Sequence, residues 1–169
     1  MLLFALLAGG ACGVSEDERP LAQLPIEQRR EAPDFNLEGL DGGTVRLSDL
    51  RGKTVVIDFW ATWCLPCEFQ VPVLNAFWDA HKEDEDIEVL GVSVDYAGSD
   101  VVAKWVDAKG VRYKVLLGGE DVARSFGATG FPTLYMVGPD GSVESQHAGL
   151  IEAADLEAAL RRQRGGGPG

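Results

Sequence analysis

Cys64 and Cys67 are the residues whose type and spacing point most directly to chemistry. They bound the motif Cys64-Leu65-Pro66-Cys67, placed after an apolar run and at the start of a helical pattern. Two cysteines at i and i+3 of a first helical turn share one face, roughly 5–6 Å apart, close enough to close a strained disulfide. A helix N-terminus carries partial positive charge and unpaired N–H groups. A thiol held there loses its proton more readily and becomes a nucleophile. The pair reads as a redox-active dithiol that uses its own disulfide and no further cofactor. A lone CxxC can also be half of a zinc site. The third cysteine, Cys12, lies far away, and His81 and His147 are distant from each other, so the ligand count favours redox chemistry and no metal.

The elements around the motif have clear signatures. Thr54–Trp60 is too apolar for a half-exposed strand and reads as a central strand covered on both faces. From Cys64 to about Lys82 the apolar residues Phe69, Val73, Leu74, Phe77 and Trp78 follow helical spacing. Pro72 falls inside that helix, removes a backbone bond and predicts a kink. Asp58 is the anomaly of the strand. Burial raises a carboxylate's pKa, which suits proton exchange near neutral pH, although a buried Asp can also simply accept backbone bonds. Trp63 and Leu65 flank Cys64 and read as apolar groups around the point of attack, or as ordinary packing. Trp60 reads as core, and His81 and His147 as surface.

Before the strand, Phe35–Leu37 and Val45–Leu47 flank Asp41-Gly42-Gly43 as a β-hairpin, and a helical turn fits Ser48–Lys53. After the helix come a buried strand at Ile87–Val94 and an amphipathic helix at Ser99–Lys109, ended by Gly110. In that helix Val102, Trp105 and Val106 face inward. An extended piece at Tyr113–Leu117 and a short helix at Glu120–Phe126 follow. Strands at Pro132–Val137 and Ser142–Ala148 join through the turn Pro139-Asp140-Gly141. A last helix, Ile151–Arg162, turns Leu156 and Leu160 inward. Strands joined through helices are parallel and the late hairpin is antiparallel. The fold class is α/β, with a mixed central sheet and helices on both faces.

The 169 residues suit one domain with short appendages: 1–12 an export segment, 13–31 a flexible tether, 32–163 the domain and 164–169 a disordered tail. Met1–Ala11 is an apolar run too short to span a bilayer. It reads as the core of an export signal, and Cys12 after Gly10-Ala11 resembles the lipidated cysteine of bacterial lipoproteins. An ordinary cleaved signal and an incidental N-terminus remain the other readings of this stretch. A net charge of −12 argues against nucleic acid and anionic membrane surfaces as partners.

Phe59-Trp60-Ala61-Thr62-Trp63-Cys64-Leu65-Pro66-Cys67, the downstream Pro72, the GVSVD stretch at 91–95, Gly130-Phe131-Pro132-Thr133 and Pro139-Asp140-Gly141 together resemble the thioredoxin fold. More narrowly, they resemble the TlpA/ResA-like family of membrane-anchored or exported thiol–disulfide oxidoreductases. The lead-in from Ala32 and the inserted strand and helix around 91–109 separate the chain from plain thioredoxin. The resemblance implies that Cys64 is the exposed attacking thiolate and Cys67 the buried resolving thiol. It implies a cis-proline at Pro132, with Phe131 before it offering backbone bonds to a substrate. Read locally, Phe131-Pro132 is an ordinary turn before a strand. Trp63, Leu65 and Pro66 join Phe131 and Pro132 as the implied substrate-binding surface. Asp58 falls where thioredoxins carry a buried Asp. Gln70 stands where ResA-type relatives carry Glu, and Gln cannot carry a proton.

The expected activity is reduction of disulfides in protein substrates, outside the cytoplasm, by a monomer. Cytochrome c maturation is the implied setting, with a membrane or periplasmic electron donor. A copper chaperone holding Cu(I) on Cys64, Cys67 and His147 is the alternative from another class. A thiol peroxidase fits less well, because its Pro and Thr before a single reactive Cys are absent at Asp58–Cys64.

Overall fold

In the computed structural model, all seven residues of β3 (Thr54–Trp60) are buried. The structure describes Leu24 and residues 28–165. The export segment, Cys12, most of the tether and the last four residues lie outside that range.

A strand buried on both faces must be central, and β3 is. It pairs in parallel with β4 (Ile87–Ser93), from Thr54 opposite Ile87 to Trp60 opposite Ser93. On its other side it pairs antiparallel with β6 (Thr133–Val137). Beyond β4 lies β5 (Lys114–Leu117), then the hairpin β1 (Asn36–Gly39) and β2 (Thr44–Arg46). Beyond β6 lies β7 (Val143–Ala148), giving the order β2-β1-β5-β4-β3-β6-β7. A short 3-10 turn, Leu47–Leu50, links β2 to β3. The mixed sheet expected from the connections is present.

Alternation along β3 distributes the helices. Val56 packs with Leu74 and Phe77 of α1 (Leu65–His81) and with Leu156 and Leu160 of α4 (Ala153–Gln163). Val55, Ile57 and Phe59 pack instead with Ala123 and Phe126 of α3 (Gly119–Phe126). There Phe126 meets Phe59 at 5.2 Å and Tyr135 at 5.3 Å between ring centroids. The fourth helix, α2 (Ser99–Lys109), meets α1 at its C-terminal end, where Lys109 pairs with Glu68 at 2.6 Å. Its Trp105 stacks on Trp60 at 4.3 Å, and it ends at Gly110, whose φ of 65° is the left-handed conformation glycine adopts without strain.

The inner face of α1 differs from the expected one. Cys67, Gln70, Val71, Leu74, Asn75 and Phe77 are buried, while Phe69 is 64 % exposed. Phe69 sits one turn after Leu65 on the solvent side. Two polar residues take inner positions because loop backbone meets them there. Asn75 Nδ2 donates to the Gly110 carbonyl at 2.8 Å and its Oδ1 accepts from Arg112 N–H at 2.9 Å. Gln70 Oε1 accepts from Ile151 N–H at 3.0 Å. These bonds tie α1 to the end of α2 and to the segment just before α4.

Arg30 and Glu31, the last residues read as tether, and Ala32, the first of the domain, run along the start of β7. Val143 N–H donates to the Arg30 carbonyl at 2.8 Å, Ala32 N–H to Gly141 at 2.9 Å, and Glu31 forms a bridge with Ser142. This backbone covers the outer edge of β7 at its start, where unpaired strand groups would otherwise remain open.

Candidate active site

Four residues, Ala61 to Cys64, connect the end of β3 to α1. Cys64 is the N-cap of α1, with extended backbone at φ −87° and ψ 98°. Pro66 lies in the first turn, where a missing N–H costs nothing. Cys67 N–H donates to Cys64 Sγ at 3.3 Å. The two cysteines form a disulfide with Cα atoms 5.4 Å apart, within the spacing expected for one helical turn.

The exposure of Cys64 differs from the expectation. Cys64 is only 5 % exposed and Cys67 2 %. Access still separates them. Cys64 lines a groove of about 670 Å³, bordered by Trp63, Leu65, Pro66 and Phe131, and Cys67 does not line it. With the disulfide closed, Cys64 Sγ faces Cys67 and the groove walls rise around it. Trp63 and Leu65 are 63 % and 65 % exposed, so they stand on the rim. The Phe131–Pro132 bond is cis. The Phe131 ring meets Trp63 edge-on at 5.9 Å, and Pro132 is buried beneath it. Residues some 65 positions apart in sequence thus border one groove.

Asp58 lies on the face of β3 that Val56 presents to α1. It is buried, its Oδ1 has no hydrogen-bond partner among the described residues, and burial pushes its carboxyl well above the usual range. Burial and the charge of Asp58 together push the Tyr113 hydroxyl up as well. Trp60 Nε1 and Gln70 Nε2 are two further buried polar atoms without a partner among the described residues. Glu68, beside Cys67, is paired with Lys109 at 2.6 Å.

Several residues around the groove have no role assigned by their sequence pattern. Glu120 and Arg124 of α3 form its polar wall and pair with each other at 2.8 Å. The Glu120 carboxylate pushes the Tyr96 hydroxyl up, with Arg124 acting against it. Asp95 holds Thr62 immediately before Trp63. In the sequence Asp95 closes the GVSVD stretch at 91–95, with nothing there that assigns it a role. His147 lies on β7 with Nε2 bonded to the Leu150 carbonyl at 2.8 Å. Among the described residues no cluster of three His, Cys, Asp or Glu could hold a metal, and no helix is long and apolar enough to cross a membrane.

The model of the AhpC/TSA family matches residues 29–146. The thiol-disulfide oxidoreductase ResA of Bacillus thuringiensis (strain Al Hakam) is 32 % identical over 164 residues, covering 95 % of this chain and 93 % of that protein. ResA of Oceanobacillus iheyensis is 35 % identical over 135 residues, covering 76 % of this chain and 69 % of that protein. Among solved structures, the thioredoxin domain of a thiol-disulfide oxidoreductase from Bacteroides vulgatus is similar, with a TM-score of 0.68 and 28 % identity over 79 % of this chain and 94 % of that one. A DsbF homologue from Corynebacterium diphtheriae shares the fold, with a TM-score of 0.74 and 20 % identity over 91 % of this chain and 99 % of that one. The capped disulfide, the cis-proline beside it and these likenesses converge: the chain belongs to the AhpC/TSA family, as one of its thioredoxin-fold, ResA-like thiol–disulfide oxidoreductases.

Proposed function

We propose that this chain reduces disulfides of protein substrates outside the cytoplasm, with Cys64 attacking and Cys67 resolving. The observation that carries the reading is Cys64 Sγ at the cap of α1, accepting the Cys67 N–H and lining the groove while Cys67 stays behind it. In the reduced protein the Cys64 thiolate attacks one sulfur of the target. The target S–S bond breaks, its second sulfur leaves as a thiolate and takes a proton, and a mixed disulfide forms. Cys67 gives its proton to Asp58 and attacks Cys64 Sγ. The target's first sulfur leaves as a thiolate and takes up a proton, Asp58 gives up the one it accepted, and two electrons have passed from the dithiol to the substrate. A donor dithiol on the membrane or in the periplasm returns the pair to the reduced state. The disulfide is the only redox group this cycle uses.

Burial and the unpartnered Oδ1 support Asp58 as the proton acceptor. Gln70 is already held by Ile151 and has no acid to offer. The reductive direction is supported by the pairing of the positive charges near the site. The nearby cations Lys109 and Arg124 are engaged by Glu68, Glu120 and Asp121. The rim of Trp63, Leu65 and Pro66, facing Phe131, suits an extended polypeptide segment around the target cysteine. Resemblance to the ResA-like family supports cytochrome c maturation as the setting, with Cys12 lipidated as the membrane tether. Insulin disulfide reduction tests the activity: wild type reduces it and Cys64→Ser does not, whereas equal activity in the two would contradict the assignment.

A further inference from the structure

We infer that Asp95 is a positioning residue of the dithiol, holding Thr62 so that the segment 61–63 presents Cys64 at the cap of α1. The inference rests on the reading of Cys64 as the attacking thiol. The segment is anchored at its start, where Val94 N–H donates to the Trp60 carbonyl at 2.9 Å. It turns tightly at its end, where Cys64 N–H donates to the Ala61 carbonyl at 3.1 Å. Thr62 is the middle residue and is half-buried, so its N–H and hydroxyl need partners that do not move.

Asp95 supplies them. Its Oδ2 accepts from Thr62 N–H at 3.0 Å and its Oδ1 accepts from the Thr62 hydroxyl at 2.5 Å. Oδ2 also accepts from the Ser93 hydroxyl at 2.8 Å, and Asp95 N–H donates back to Ser93 Oγ at 3.2 Å. Ser93 is fixed opposite Trp60 in the β3–β4 register. The carboxylate is therefore locked to the sheet on one side and to the loop on the other. Hydrogen bonds to an ionised carboxylate are shorter and stronger than neutral ones. The residue after Thr62 is Trp63, whose ring meets Phe131, so the same clamp sets the groove's rim.

The helix N-terminus stabilises a thiolate only within about its first turn, so small displacements of Cys64 matter. Loosening the loop costs the thiolate part of that stabilisation. Removing a negative charge near the cap acts the other way and favours the thiolate. Two variants separate the effects. Asp95→Ala removes both clamp and charge. Asp95→Asn removes the charge but keeps an oxygen toward Thr62 and an amide that can donate to Ser93.

The test uses the reduced full chain and measures the pH dependence of Cys64 alkylation by iodoacetamide, read by peptide mass spectrometry. The expected result is a Cys64 pKa raised by about half a unit to one unit in Asp95→Ala, the size of a helix N-terminus contribution, with Asp95→Asn, which loses the charge but keeps the clamp, at or below the wild-type value. Equal downward shifts in both variants would show a charge effect and overturn the inference. An unchanged pKa in Asp95→Ala with only a lower melting temperature would show a structural role and also overturn it. Should Asp95→Ala not fold, Thr62→Val, which lacks the hydroxyl bond, reads the same axis. An upward shift there supports the clamp, and an unchanged or lower pKa overturns it. Failure of the wild type to reduce insulin would count against the proposed substrate class and leave this titration interpretable.

Discussion

Asp58 of β3 stands opposite Gly91 of β4 in the parallel register, and the missing side chain leaves room for two neighbours of the buried carboxyl. A Cβ at Gly91 would lie 2.7 Å from Tyr113 Cε2 and 2.9 Å from Trp60 Nε1. The sheet thus keeps glycine where an acid, an indole N–H and a phenol crowd beneath the dithiol helix.

Gly91→Ala drives a methyl group into that crowd. Overpacking of this kind costs about 1–3 kcal/mol. Urea unfolding should show a lower midpoint with an unchanged slope.

Asp58→Asn should slow the resolving step near neutral pH by about tenfold or more, the low end of what a positioned base contributes. Stopped-flow measurement of Cys67 attack across pH checks this, and an unchanged pH–rate profile would remove Asp58 from the mechanism. The same residue shapes stability. Its folded pKa is raised, so between the unfolded value of about 3.9 and the folded value the native state binds the extra proton. Stability from this group therefore falls as pH rises through that window and stays low above it. Asp58→Asn should raise the melting temperature at pH 8 relative to wild type and do so less at pH 4.

His81, at an outer site, also loses stability as pH rises, but because its charged form is stabilised rather than because burial penalises a charge. Burial alone would lower its imidazole, but hydrogen bonds to Asp84 at 2.9 Å and Glu157 at 3.0 Å, with their charges, raise it overall. A raised histidine contributes stability below its unfolded pKa of about 6.5 and loses it as pH rises through the folded value. The pair with Glu157 also joins α1 to α4. His81→Ala should lower the melting temperature more at pH 5.5 than at pH 8.5, and an equal loss at both would show a packing effect alone.

Phe69→Ser probes the exposed face of α1. A surface change of this kind should leave stability within about 0.5 kcal/mol. If the apolar stripe of Leu65 and Phe69 receives the protein substrate, KM for a protein disulfide should rise several-fold while reduction of a small aromatic disulfide is unchanged. Equal loss on both substrates would place the effect on the dithiol instead.

Much of this architecture is legible in the sequence because it rests on local chemistry. Thr54–Trp60 could only be a central strand, and Cys64-Leu65-Pro66-Cys67 could only open a helix with a proline in its first turn. Other features depend on contacts that no local pattern carries. Phe69 fits an apolar helical stripe by spacing, but the helix phase is set by Gln70 and Asn75, whose amides meet the backbone of Ile151, Gly110 and Arg112. Asp95 looks like a solvated residue after a strand until Thr62, 33 positions earlier, is brought beside it. Arg30 and Glu31 have no strand signature of their own, and only the open edge of β7 gives their backbone a partner. The low exposure of Cys64 follows from the walls built by Trp63 and Phe131, one of them far along the chain.

The division of labour between Cys64 and Cys67 is the central claim, and trapping tests it most directly. Reduced Cys67→Ser and reduced Cys64→Ser are each mixed with an oxidised protein substrate and quenched with acid, and adducts are mapped by mass spectrometry. A mixed disulfide through Cys64 should accumulate in Cys67→Ser, because the resolving thiol is gone, and no adduct through Cys67 should form in Cys64→Ser. Equal trapping through either cysteine, or adducts through Cys67 alone, would contradict that division.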